Sequence, residues 1–150
     1  MKKVEFFESQ KFTQWWLWMI LFISLVLPIA ADVQNTPILF FIIAFLILLL
    51  VYLMQLRVSV NREGIYYQFS PFHLKVYHIK TGDIEKIQAV TYSPIKDYGG
   101  WGIRRVYKGK AYNIKGNKGV RVELKNGNHI LFGSQKHLSF AESLGKFIES

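Results

Sequence analysis

Between Trp15 and Leu56 the chain contains two stretches without one charged side chain, "WWLWMILFISLVLPIAA" (residues 15–31) and "PILFFIIAFLILLLVYLMQL" (residues 37–56). Only Asp32 to Thr36 separate them. A helix buried in a chain of this size normally shows a polar face, and none is visible from Ile38 to Met54. At about 1.5 Å per residue the runs reach roughly 25 and 30 Å, against a hydrocarbon core of ~30 Å. Each run therefore predicts a membrane span, and the short break between them predicts a tight antiparallel hairpin. Pro37 suits the first turn of the second helix, with Asn35 or Thr36 as its cap. Pro28 falls near the end of the first run, where a kink does least harm.

Orientation follows from the flanking cations. Lys2, Lys3 and Lys11 precede the first run, Arg57 begins a basic region after the second, and the break carries only Asp32. This predicts an integral protein of the inner (cytoplasmic) membrane with both termini cytoplasmic. Trp15, Trp16, Trp18 and Tyr52 then serve as anchors at the lipid–water interface. A cleaved signal peptide ending in "LPIAA" is the competing reading. The three tryptophans, with Glu5 and Glu8, oppose it. Ionisable groups inside spans mark ion and proton pathways, so their absence points to an anchor rather than a transporter or channel. The expected layout is a cytoplasmic flank at 1–14, a two-helix transmembrane hairpin at 15–56, and a cytoplasmic domain at 57–150.

That domain holds 16 lysines and arginines against seven acids, and so carries the whole formal charge of +9. Its size is enough for one small core without disulfide or metal support. Cysteine is absent, which excludes disulfides, thiolate metal sites and cysteine nucleophiles. The dominant period is two. "LRVSV" alternates Leu56, Val58 and Val60; "IYYQF" alternates Ile65, Tyr67 and Phe69; and "VRVEL" turns Val120, Val122 and Leu124 inward. "HLKVYHI", "IQAVTY", "KAYNI" and "HILFG" complete about seven strands, with "KNGN" as a hairpin turn. The period then changes. "SFAESLGKFIES" places Phe140, Leu144, Phe147 and Ile148 on one helical face, and Ser139 and Glu142 have capping-box spacing.

Seven short antiparallel strands closed by a C-terminal helix outline a pleckstrin-homology-like barrel. The chain resembles the bacterial pleckstrin-homology-like membrane proteins, in which N-terminal spans lead directly into such a barrel. Three features carry the resemblance: the apolar runs end where the first strand starts at Leu56, "HIKTGDIEKIQAV" (residues 78–90) looks like the family's strand connector, and "GVRVELKNGNHILFGSQ" (residues 119–135) looks like its last hairpin before the helix. The resemblance implies a binding or assembly module rather than an enzyme. It transfers no phosphoinositide site, because "NREG" offers only Arg62, opposed by Glu63.

The residues themselves show no catalytic constellation. His73 and His78, five apart, face opposite sides of one strand, and neither they nor His129 and His137 have metal-ligand spacing. Asp83 and Glu85 lie in a lysine-containing connector rather than in a pocket that could split their pKa values. "GGWG" lacks the lysine and serine or threonine of a phosphate loop. No cofactor and no metal are expected.

One stretch stands out, "DYGGWGIRRVYKGK" (residues 97–110). It supports three readings. Trp101 with Arg104, Arg105, Lys108 and Lys110 suits a headgroup layer, where each cation near an anionic surface is worth ~1 kcal/mol. Tyr98, Trp101, Arg104, Arg105 and Tyr107 equally suit a protein or peptide partner. Alternatively Gly99, Gly100 and Gly102 permit a tight bend over which Trp101 folds back, with no ligand at all. Nucleic acid is disfavoured by the absence of any recognition motif. The expectation is a non-enzymatic, membrane-anchored binding or assembly module, with a protein-binding adaptor as the alternative.

Overall fold

The computed structural model describes residues 4–32 and 34–148. It divides into two compact units, Met1–Gln10 with Gln55–Ser150, and Lys11–Met54. Lys2 and Lys3, counted above in the basic flank, and the last two residues of the expected C-terminal helix lie outside the described residues.

The larger unit is built from two sheets. The first has spatial order β1 (Phe6–Lys11), β2 (Gln55–Asn61), β3 (Gly64–Ser70) and β4 (Tyr77–Lys80). The second contains β5 (Ile84–Thr91), β6 (Gly102–Val106), β7 (Gly109–Asn113), β8 (Lys118–Leu124) and β9 (His129–Gly133), in the order β5-β8-β9-β7-β6. A short helix α3 (Pro94–Tyr98) lies between β5 and β6, and α4 (His137–Gly145) follows β9. Alternation places Leu56, Val58 and Val60 of β2 against Phe69, Tyr67 and Ile65 of β3, and all six are buried. Val120 and Val122 of β8 and Phe132 of β9 are fully buried, as are Phe140 and Leu144 of α4.

Several expectations need correction. Nine strands replace about seven among the described residues, and the second sheet is mixed, since β7 and β9 run parallel. The supposed N-terminal flank contains β1, whose inward positions are Phe6, Glu8 and Gln10. Of "HLKVYHI" only Tyr77 onward is strand. The chain before it turns back, with the His73 N–H donating to the Phe69 carbonyl at 2.8 Å. Helix α4 begins two residues before Ser139, so the Ser139–Glu142 capping box does not form, and Lys136 occupies the N-cap without a side-chain bond.

The second unit is a pair of helices, α1 (Trp15–Ala31) and α2 (Ile38–Leu53), of 17 and 16 residues. The expected transmembrane hairpin is overturned here. At ~1.5 Å per residue the helices are about 25 and 24 Å long, short of a ~30 Å hydrocarbon core. Among the described residues no helix is long and apolar enough to cross a membrane. The second run falls short because its end serves the sheet: Met54 is extended, while Gln55 and Leu56 pair with Ser70 and Phe69. The inner-membrane assignment, and the orientation read from the lysines, lose the spans on which they rested. Neither Asn35 nor Thr36 caps α2. Both turn back to Asp32 instead, Asn35 Nδ2 donating to its carboxylate at 2.7 Å and Thr36 Oγ1 to its carbonyl at 2.6 Å.

Candidate binding surface

The stretch that stood out in the sequence begins with a complete miniature helix. Ser93 caps α3, its Oγ accepting from the Lys96 N–H at 3.3 Å, while the Asp97 carboxylate accepts from the Ser93 N–H at 2.7 Å. Pro94 fills the first turn, and Gly99 closes the helix in the left-handed region at φ 71°. The signals were present in "SPIKDYGG", namely a capping serine, a proline after it and glycine at the end. Tyr98 is half-buried. Its ring meets Tyr92 edge-on at 5.7 Å, in an apolar cluster with Ala111 and Leu131, and burial pushes its phenol pKa up.

Trp101 is held by its own unit. Its indole Nε1 donates to the Gly116 carbonyl at 3.2 Å, and Arg104 Nε donates to the Trp101 carbonyl at 3.0 Å. Gly100 has φ 125°, and a Cβ there would sit 3.0 Å from the Arg104 guanidinium. Trp101 and Arg104 thus brace the bend leading into β6. Trp101→Phe keeps an aromatic ring, smaller than the indole, and removes the N–H donor. It is expected to lower stability by about 1 kcal/mol, one net hydrogen bond, in urea unfolding, with anion binding at the neighbouring hairpin unchanged.

The remaining cations stand on the β6–β7 hairpin. Register places Arg105 opposite Lys110 and Val106 opposite Gly109, so Tyr107 and Lys108 form a two-residue turn. Lys108 adopts φ 53°, although such turns favour Asn-Gly. Tyr107 is 86% exposed, and the Lys108 ammonium lies 5.5 Å from its ring centre. Like charges directly opposite on a sheet destabilise it. Among the described residues neither Arg105 nor Lys110 meets a carboxylate. With Lys108 and His129 they line a cleft of about 410 Å³. Gly109 admits the His129 ring, which would lie 2.3 Å from a Cβ at that position. Burial, then the nearby Arg121, pull the His129 pKa below its usual value.

Beside this hairpin lies the loop between β3 and β4. The His73 ring is 5.4 Å from the Tyr112 ring of β7 and 4.5 Å from Tyr77. Burial, then the charge of Lys110, lower the His73 pKa. The loop exposes Phe72, Leu74 and Val76 at 54%, 96% and 55%. The aromatic group beneath is packed ring on ring, Tyr67 lying 5.6 Å from Tyr77 and 5.0 Å from Tyr112, with Tyr77 exposed at its edge.

Other sequence candidates are placed elsewhere. Trp15 is largely exposed at the start of α1, as is Tyr52 near the end of α2, with the Lys11 ammonium 5.9 Å from the Tyr52 ring centre. Trp16 is partly buried, and Trp18 Nε1 donates to the Phe12 carbonyl at 2.9 Å. His78 stacks on Tyr66 at 4.1 Å, and His73 lies outside β4, so the two histidines do not share a strand. Asp83 ends a single 3-10 turn and Glu85 is exposed on β5. Among the described residues no three His, Asp or Glu side chains are grouped to hold a metal.

One polar group escaped sequence reasoning. Glu8 of β1 is buried and accepts from Ser134 Oγ at 2.5 Å and from the Gln135 N–H at 3.0 Å. Gln10 Nε2 donates to the Gly133 carbonyl at 2.7 Å. These bonds tie β1 to the end of β9. Ser134 in turn accepts from the Lys136 N–H at 3.0 Å, and so serves as a junction of the fold. No family model, no curated protein and no solved structure matches this chain.

Proposed function

We propose that this chain is a non-enzymatic binding module of pleckstrin-homology-like outline that holds an anionic partner against the β6–β7 hairpin. Setting aside that hairpin, β1 to β4 neighbour one another in chain order, and β5, β8 and β9 with a closing helix follow. This order supports the resemblance, except that the strands begin at β1, before the helical pair, and not at Leu56. The observation that carries the binding reading is the juxtaposition of Arg105 and Lys110 across the register, with Lys108 at the turn and, among the described residues, no carboxylate in ion-pair contact with either. Two opposed cations repel, and an anion lying between them relieves the repulsion. The non-enzymatic part rests on how the buried polar groups are engaged: Glu8 and Ser134 bond to each other and join strands.

Inorganic polyphosphate is a suitable probe for the full chain. Arg105→Ala/Lys110→Ala is expected to weaken binding at least tenfold at moderate salt. Lys118→Ala/Lys125→Ala removes the same charge from exposed positions and is expected to weaken it about twofold or less. Equal losses from the two pairs would mean that the hairpin is only part of a diffuse basic surface, and would sink the reading.

A further inference from the structure

We infer that the β6–β7 hairpin and the loop of residues 71–76 form one docking surface for an anionic lipid bilayer, with the hairpin's cations on the headgroups and the loop's apolar tip below them. This deepens the proposed anion-binding function and rests on it.

Two kinds of surface meet here. The loop exposes three large apolar side chains within five residues, and Leu74 at 96% has almost no cover. Single exposed apolar residues are ordinary, but a protruding group of them beside a charged rim marks a contact site. The hairpin supplies Arg105, Lys108 and Lys110, with Tyr107 protruding at its tip. The two elements are neighbours, joined by the 5.4 Å contact between the His73 and Tyr112 rings. Lys75 adds a cation within the loop itself.

The shape and the charges select the occupant. A stable protein interface wants roughly 800 Å² of complementary surface per partner. Two protruding tips, one apolar and one basic, match a medium that is charged outside and apolar a few ångströms deeper. A second copy of the chain is a poor fit, since both would bring formal charges of +9. Tyrosine with its polar tip suits the boundary between the two layers. Such contact is peripheral and reversible, and requires no span.

The absence of cysteine allows the test to be made on the full chain. Leu74→Cys, and as a reference the exposed Lys118→Cys, would each carry one environment-sensitive dye. Vesicles of phosphatidylcholine alone, and of phosphatidylcholine with phosphatidylserine, would be compared at low and high salt. The neutral vesicles register any background from the apolar helices α1 and α2.

The expected result is a blue shift of the dye at position 74 on the anionic vesicles only, absent at position 118 and reduced by high salt. Arg105→Ala/Lys110→Ala should lower the anionic increment in binding roughly 30-fold, from two cations near the surface. Leu74→Ser in the undyed chain should lower it about tenfold. Vesicle binding with the dye at 74 unshifted would overturn the proposal, because some other surface would then hold the lipid. Polyphosphate binding sensitive to Arg105 and Lys110, without any anionic increment on vesicles, would also overturn it while leaving the anion-binding function standing, with an acidic protein as the occupant. Loss of the polyphosphate effect as well would remove both.

Discussion

Phe140→Ala is expected to lower the stability of the β unit by about 3–5 kcal/mol, the range for emptying a fully buried phenylalanine site. Phe140 has no exposed surface. Its ring stacks on Phe6 at 4.9 Å with planes 11° apart, and meets Phe132 at 6.0 Å. One side chain thus joins α4, β1 and β9. Little can move in to fill the cavity, because its neighbours are themselves strand and helix residues held by backbone bonds. Urea unfolding followed by circular dichroism measures the loss. Leu138→Ala on the same helix is the control. Leu138 is largely exposed, so its truncation should change stability by less than about 0.5 kcal/mol. Hydrogen exchange adds a local reading. With Phe6 unsupported, the Glu5 N–H, which donates to the Val60 carbonyl at 2.9 Å, should lose protection before the β2–β3 pairs do.

Gly64→Ala is expected to be comparably damaging, by about 3 kcal/mol or more, through a different mechanism. Gly64 begins β3 at φ 140°, a conformation that L-residues rarely adopt. A Cβ there would lie 1.9 Å from the Ile79 carbonyl oxygen and 2.9 Å from its carbon. Backbone cannot rotate away as a side chain would, so the β3–β4 pairing must open. Gly127→Ala separates strain from clash. Gly127 also has positive φ, 81°, but nothing lies within 4 Å of its Cβ position, so only a conformational cost of about 1 kcal/mol is expected. Thermal unfolding of both variants gives the comparison. Similar losses would mean that the contact with Ile79 is relieved by a small strand shift.

The period-two segments were legible because every inward position was apolar. Leu56, Val58 and Val60 facing Phe69, Tyr67 and Ile65 could be read from spacing alone. Strand β1 escaped for the opposite reason. Two of its three inward residues are Glu8 and Gln10, and their partners, Ser134, Gln135 and Gly133, lie at the other end of the chain. No local pattern announces a polar side chain satisfied from so far away. The apolar runs were legible as helices but not in their lengths. Hydropathy continues through Met54 into Leu56, whereas the helix stops at Leu53 because Gln55 and Leu56 pair with β3. Of the candidate site, the charges were visible, but their division was not. Arg104 is engaged on the Trp101 carbonyl, while Arg105 and Lys110 face each other. Leu74 and Val76 were read into a strand, whereas the His73–Phe69 backbone bond turns the chain back and their exposure shows that the loop projects outward.

The placement of the helical pair also sets an order of assembly. Residues 12–54 intervene between β1 and β2, which are adjacent in the sheet. Closing so long a loop carries an entropic penalty that slows pairing, whereas an antiparallel helical hairpin forms from near neighbours in sequence. Once formed, that hairpin brings its own ends together, as the approach of Lys11 to Tyr52 shows. The separation that the β1–β2 pairing must bridge then shrinks to a few residues. Even so, β1 cannot finish docking early. Its anchors on Gly133, Ser134, Gln135 and Phe140 lie more than 120 residues further along the chain and are synthesised well after it. Strand β1, though it precedes its anchors in synthesis, is thus among the last to be locked, and until then the outer edge of β2 is an open template for pairing with another chain.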